Sequence, residues 1–261
     1  VNAPLVLSHH KLIGSANHGG SMRTLALVEQ AARSQSVCMD CYPYVASSTM
    51  LLPARVAVSS DVRITWSSAE PEAAGRSLFT MAAERGIDPT TLAQQLVPGG
   101  AIYFAMSDED VDRILAHPLV MIGSDGLPHD PVPHPRLWGT FPRVLGHYVR
   151  QRRLLALEAA IHKMTGLTAR RFGLAARGEL RVGAAADVTV FDAEQVLDRA
   201  TFDVPIAAPT GIRWVLVNGR IAVEDGRQAD DRAGQVLRRV RTSPRNTPLL
   251  TETLAGAACR A

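Results

Sequence analysis

Apolar and polar positions along the chain change rhythm near residue 180. Before that point, short apolar runs alternate with stretches of helical spacing. Residues 5–11 read as a buried parallel strand, a continuous apolar run ending in polar residues. Residues 21–33 follow with Leu25, Val28, Ala31 and Ala32 on one helical face and Ser21 or Thr24 near the start. Residues 37–42 predict a second strand, broken at Pro43-Tyr44, and Ser47-Ser48-Thr49 predicts a polar loop. A strand is expected over 62–66, helices over 73–85 and 89–96 separated by Gly86, and a short apolar strand over 101–106. A helix over 107–115 takes Ser107 as N-cap and acids in its first turn, as the helix dipole favours. An apolar run at 119–122 leads into a glycine-bracketed turn, a charged and aromatic loop covers 134–143, and helices are expected over 154–164 and 169–172.

Beyond residue 178 the alternation has period two. Residues 183–192 and 212–224 read as antiparallel strands, with Asn218-Gly219 as a type I′ hairpin turn. The predicted organisation is therefore α/β over residues 1–180, strands of a small β-domain over 181–228, and a loosely ordered tail over 229–261.

Composition narrows the function classes. At 261 residues and 46% hydrophobic content the chain has material for an ample core. A pI near 9.0 invites nucleic acid as a partner, but the 28 basic residues are scattered and offset by 25 acidic ones, so no phosphate-tracking surface is expected. No stretch is long and apolar enough to span a membrane. Cysteines 38, 41 and 259 make no disulfide framework and fit a reducing cytoplasm; Cys38 and Cys41 read as two core thiols, since no second C-x-x-C completes a zinc site.

The segment of most chemical interest is residues 121–130. It places Asp125 directly after the apolar run and between glycines, as an α/β barrel presents a metal ligand or a base at the C-terminal mouth of its strands. In the first strand, alternation puts Leu5, Leu7, His9 and Lys11 on one face, so that a barrel-lining face would aim His9 and Lys11 into the mouth. Asp40, Tyr42 and Tyr44 share parity in the second. A His and an Asp at strand ends suit a divalent metal and its hydrolytic water.

Seven segments carry a resemblance. They are Ser8-His9-His10-Lys11, residues 40–50 (DCYPYVASSTM), 100–104 (GAIYF), 122–130 (IGSDGLPHD), 134–146 (HPRLWGTFPRVLG), 163–173 (KMTGLTARRFG) and 183–192 (GAAADVTVFD). In this order they closely resemble the C-terminal half of the N-acyl-D-amino-acid deacylases of the amidohydrolase superfamily, from about Leu5 to Gly226. The resemblance implies the later part of a zinc-bearing (β/α) TIM-like barrel and hydrolysis of N-acyl-D-amino acids to a D-amino acid and a carboxylate. It makes His9 a zinc ligand from the fifth barrel strand. Asp125, after the eighth, becomes the metal-proximal carboxylate that serves as general base and then acid. It places Lys11, Tyr42, Ser48 and Arg136 around the substrate carboxylate, and Tyr103 and Met106 in an apolar wall favouring a neutral D-side chain. Arg136 could instead stack on Trp138 as structure alone. Deacylases of N-acyl-D-glutamate or N-acyl-D-aspartate, other amidohydrolases, and a non-catalytic, partner-binding remnant are the alternatives.

Members of that family carry further zinc ligands, including a His-x-His motif, that this sequence lacks. Those ligands are expected upstream of Val1, on an N-terminal half that is a possible partner. The expectation is of a truncated product, a misplaced start or a split protein, inactive as a hydrolase by itself.

Overall fold

A computed structural model describes residues 3–229 and 232–238. Most of the predicted C-terminal tail lies outside the described residues. The chain opens with β1 (Leu5–Leu7), α1 (Ser21–Ala32) and β2 (Val37–Cys41). An inserted layer follows: β3 (Ala46–Met50), α2 (Pro53–Val56), β4 (Asp61–Ser67), α3 (Leu78–Arg85), α4 (Pro89–Gln95) and β5 (Gly99–Phe104). Then come α5 (Asp108–Ala116), β6 (Val120–Ile122), α6 (Arg136–Arg143) continued by a π-helical stretch (Val144–Gln151), α7 (Leu157–Met164) and α8 (Gly166–Phe172). The strands β7 (Val188–Phe191), β8 (Ile212–Val217), β9 (Arg220–Glu224) and β10 (Arg227–Gln228) end the described fold. No described helix is long and apolar enough to cross a membrane.

Three sheets result. β1, β2 and β6 form a parallel sheet in that order, as an arc of a barrel would. β3, β5 and β4 form an antiparallel sheet, and β7 to β10 an antiparallel meander. If the strand before Asp125 is counted eighth, direct pairing of β2 with both neighbours makes β1 the sixth rather than the fifth.

Strand alternation divides the parallel sheet into two faces. Met39, Cys41, Val120 and Ile122 pack with Leu25, Val28 and Ala32 of α1 and with Ile114 and Leu115 of α5. Cys38 and Met121 face the other way, against Leu167 of α8 and Val6. Both thiols are free and buried, as the sequence implied. The antiparallel sheet has its own core, in which Val62, Ile64, Ala101 and Tyr103 meet Leu78 and Met81 of α3 and Leu92 of α4.

Local side chains cap some of the helix starts and not others. The Asp88 side chain accepts from the Thr91 amide at 3.0 Å, ahead of Pro89. Ser107 sits at the N-cap of α5 without a side-chain bond. One of the acids of that first turn, Asp110, instead accepts from the Gly19 and Ser21 amides at 2.8 and 3.1 Å, capping α1 across the interface.

Two sequence expectations are corrected. Ser47-Ser48-Thr49 is strand, not loop: β3 pairs with β5 over five residues, and backbone pairing outweighs side-chain polarity there. Residues 134–143 are not a loop either, because α6 occupies 136–143 despite Gly139 and Pro142. Burial of Arg136, Gly139, Thr140 and Pro142 along one side overrides the poor helix propensity.

Lys163 of α7 is buried and donates to the carbonyls of His117 and, at 3.1 Å, Val120. Burial brings its pKa down to about 8 from an ordinary 10.5. Between those values the unfolded chain binds more protons than the native one, so this lysine makes stability rise with pH across the window. Below about 8 its destabilising effect is complete, roughly 3 kcal/mol at 1.36 kcal/mol per unit. Urea unfolding at pH 7 and pH 10 should therefore show the wild type gaining on Lys163→Met by about 2–3 kcal/mol. A pH-independent difference between the two would refute this.

Candidate active site

The loops at the C-terminal ends of the three parallel strands and the start of α6 converge. The first differs from the alternation argument. β1 ends at Leu7, which packs on the helix-covered side of the sheet, so alternation does not aim His9 inward. His9 has a φ of 43°, and this turn rather than strand parity presents its imidazole. Asp40 of β2 holds the turn. Its Oδ1 accepts from the His9 amide at 2.7 Å, its Oδ2 accepts from the Ser8 hydroxyl at 2.9 Å, and its carbonyl accepts from the His10 amide at 2.8 Å. Lys11 Nζ donates to the His9 carbonyl at 2.6 Å and lies 3.1 Å from His9 Nδ1. His10 turns away to Thr24 Oγ1 on α1.

Asp125 also adopts a left-handed backbone, with φ 48°, which an aspartate tolerates better than most residues. Gly126 lets this turn lie on α6: a Cβ there would stand 2.6 Å from Leu137 Cδ1 and 2.9 Å from its Cα. The Asp125 side chain is 37% exposed and its Oδ2 lies 3.0 Å from Arg136 Nη1.

Arg136 is the centre of the cluster. Its side chain is 1% exposed, its Nη2 donates to the Ser48 carbonyl at 3.2 Å, and its guanidinium lies 4.7 Å from the centre of the Tyr42 ring. The contact with Asp125 is charge against charge, off hydrogen-bond geometry, so Nη1 and Nε have no hydrogen-bond partner. The buried hydroxyls of Tyr42 and Ser48 have none either. Tyr42 lies beside the guanidinium, yet burial outweighs that charge and pushes its hydroxyl pKa up. Lys11 Nζ stands 5.3 Å from the same ring. Its pKa falls to about 8, first by burial and then by the charges of Arg136 and Arg55, against the opposing pull of Asp125 and Asp40.

The two wall residues separate. Met106 lines a narrow cleft with Lys11, Tyr42 and Tyr44 that runs on to Asp110 and Ile114 of α5 and includes none of His9, Ser48, Asp125 or Arg136. Tyr103 does not: on β5 it faces opposite to Ile102, the residue paired with Ser48. Its ring is buried in the core of the antiparallel sheet, and its hydroxyl donates to Met50 and accepts from the Leu52 amide. The structure thus gives Tyr103 a structural task and places Arg55 near its ring, with Cζ 5.7 Å from the centroid.

Sequence reasoning missed Asp40, His134 and Arg55. Asp40 showed its parity with Tyr42 but nothing of its bonds to residues 8–10. His134 stood two residues from Arg136 and drew no separate attention. As donor types, an imidazole and a carboxylate at strand ends fit zinc, but they are two of the three or four ligands it takes. Among the described residues no group of three His, Cys, Asp or Glu side chains could hold a metal.

Comparison with known proteins shows the family. From Alcaligenes xylosoxydans xylosoxydans, an N-acyl-D-glutamate deacylase is 55% identical over 90% of this chain and 48% of its own length. An N-acyl-D-aspartate deacylase from the same source is 52% identical over 89% and 47%. The crystal structure of a D-aminoacylase matches with a TM-score of 0.89 at 54% identity, covering 91% of this chain and 50% of that one. The N-acyl-D-glutamate deacylase of Bordetella bronchiseptica, solved with zinc and a phosphonate mimic of the tetrahedral intermediate, matches with a TM-score of 0.82 at 51% identity, over 87% and 49%. The chain spans about half the length of the relatives it matches. Residues 61–223 match the model of the amidohydrolase family, and with relatives this similar the chain belongs to that family.

Proposed function

We propose that this chain supplies the carboxylate-binding and proton-transferring half of a zinc-dependent N-acyl-D-amino-acid deacylase. The observation that carries the reading is the convergence of buried, unpartnered donors on Tyr42, Ser48 and Arg136 beside Asp125. Buried donors without partners are rare, and three on neighbouring side chains make a receptor for an anion. An arginine fork and a lysine give charge-assisted bonds to a carboxylate. In the structure Asp125 is the anion next to Arg136; in a complex the substrate carboxylate would share that guanidinium.

His9 and Asp125 would contribute two of the metal ligands, as the sequence resemblance implies. Zinc, when bound, would polarise the scissile carbonyl and make water more acidic. Asp125 would take the proton from that water and return it to the departing amine, which leaves poorly until protonated. Lys11, Tyr42, Ser48 and Arg136 would hold the substrate by its carboxylate, so that the amide stands over Asp125.

The test is zinc content and hydrolysis of N-acetyl-D-methionine by the purified chain, beside the same chain extended upstream to the nearest in-frame Met. Activity with bound zinc, in either form, supports the deacylase reading. Silence in both, with sub-stoichiometric zinc, would overturn it in favour of a non-catalytic remnant.

A second reading concerns the side chain. Arg55 is a further cation whose charge reaches Lys11, one more than a single carboxylate requires, and this favours acidic N-acyl-D-amino acids. A higher kcat/KM on N-acetyl-D-glutamate than on N-acetyl-D-methionine, lost in Arg55→Met, is the expected result. A higher kcat/KM on N-acetyl-D-methionine would favour the neutral preference first read from the sequence.

A further inference from the structure

His134 is 3% exposed. It sits between the two elements that frame the candidate carboxylate site. Its Nδ1 lies 3.0 Å from the Arg136 amide, and its Nε2 lies 3.0 Å from the carbonyl of Ala46. A backbone amide only donates and a carbonyl only accepts, so these contacts select one tautomer: Nδ1 accepts from Arg136, and Nε2–H donates to Ala46. Burial, and then the charge of Arg136, hold its pKa well below the ordinary histidine value, which keeps the ring neutral and that tautomer in place.

The imidazole thereby ties the first residue of α6 to the first residue of β3. Two residues along β3, the Ser48 carbonyl accepts from Arg136 Nη2. One ring therefore fixes both the backbone from which the guanidinium springs and the strand it rests on. The ring plane is fixed in turn by edge contacts with Tyr44, at 5.1 Å between centroids, and Phe202, at 5.0 Å. Phe202 comes from the segment that connects β7 to β8. Arg63 pins that segment by donating to the Phe202 carbonyl at 2.5 Å and to Asp203 at 2.8 Å.

We propose that His134 is a positioning residue, which sets the Arg136 guanidinium against Ser48 so that both can meet the carboxylate of the substrate. The proposal rests on the deacylase reading for its ligand, but the alignment of Arg136 can be measured without it.

The test compares His134→Phe and His134→Asn with the wild type in the full chain. Phenylalanine keeps a ring against Tyr44 and Phe202 and removes both hydrogen bonds. Asparagine can keep an acceptor near the Nδ1 position. The first readout is affinity for N-acetyl-D-glutamate relative to N-acetyl-D-glutamine amide, which lacks both carboxylates, by calorimetry. The second is protection of the Arg136 Nε–H from solvent exchange by NMR. A misplaced guanidinium should reduce the carboxylate preference of the Phe variant about tenfold or more and remove the Nε–H protection, with partial recovery in the Asn variant. If the Phe variant retains both, His134 only fills space and the proposal is overturned. If the wild type shows no carboxylate preference, the deacylase reading fails, and Nε–H protection alone decides the role of His134.

Discussion

Exchanging Asp125 for asparagine is expected to lower kcat for deacylation about a thousandfold, within the range for loss of a general acid and base. Asparagine is the informative replacement because it accepts the left-handed backbone that Asp125 adopts at φ 48°. Alanine would add backbone strain to the chemical loss. The substitution should also lower the melting temperature, because Arg136 is buried and loses the carboxylate it pairs with among the described residues. Removing one partner of a fully buried pair costs several kcal/mol; with Asp125 37% exposed, solvent screens the pair and the cost should be on the order of 1–2 kcal/mol. Initial rates on the zinc-loaded active form and a thermal melt check both parts. A kcat within tenfold of the wild type would remove Asp125 from proton transfer.

The parts of this site that were legible in the sequence lie where local signals and family resemblance agree. The apolar run before Asp125 predicted a strand, Gly123 and Gly126 predicted the turn, and the structure places β6 and a left-handed Asp125 there. The helix of residues 21–33 and the Asn218-Gly219 hairpin were legible for the same reason, since period and turn chemistry were both explicit. His9 reached the mouth by a different route from the one inferred. Alternation was extended through residues 8–11, whereas β1 stops at Leu7 and Asp40 folds the chain into a turn. That turn depends on a carboxylate 31 residues away, and no local pattern records it. The misreading of α6 and β3 has a common physical origin. Arg136, Ser47 and Ser48 are polar residues that the fold buries, whereas polarity along a sequence reads as exposed loop. Tyr103 was the converse case, an aromatic residue assigned to a ligand wall whose hydroxyl holds the Met50–Leu52 segment in the core.

Replacing Arg136 is expected to separate function from stability in the direction opposite to Asp125. In Arg136→Met, affinity for an N-acyl-D-amino acid should fall by about 2–5 kcal/mol, the range for truncating one side of a desolvated charge pair. The fold should tolerate the change. A buried guanidinium with two donors unpartnered is costly to keep out of water, and methionine fills similar space without that penalty. Asp125, left behind, is exposed enough to be hydrated. The melting temperature of Arg136→Met should therefore equal or exceed that of the wild type, while that of Asp125→Asn falls. Arg136→Lys should restore little of the lost affinity. A lysine keeps the charge but cannot bond Ser48, face Asp125 and lie flat on Tyr42 together, and its ammonium is harder to desolvate. Calorimetric titration of the two variants with N-acetyl-D-glutamate and its diamide tests this. Wild-type affinity for the carboxylate in Arg136→Met would show that the buried arginine is a structural prop stacked on Tyr42. Loss of affinity with an undiminished melt would show that the fold bears the cost of burying this charge so that a substrate anion can be bound.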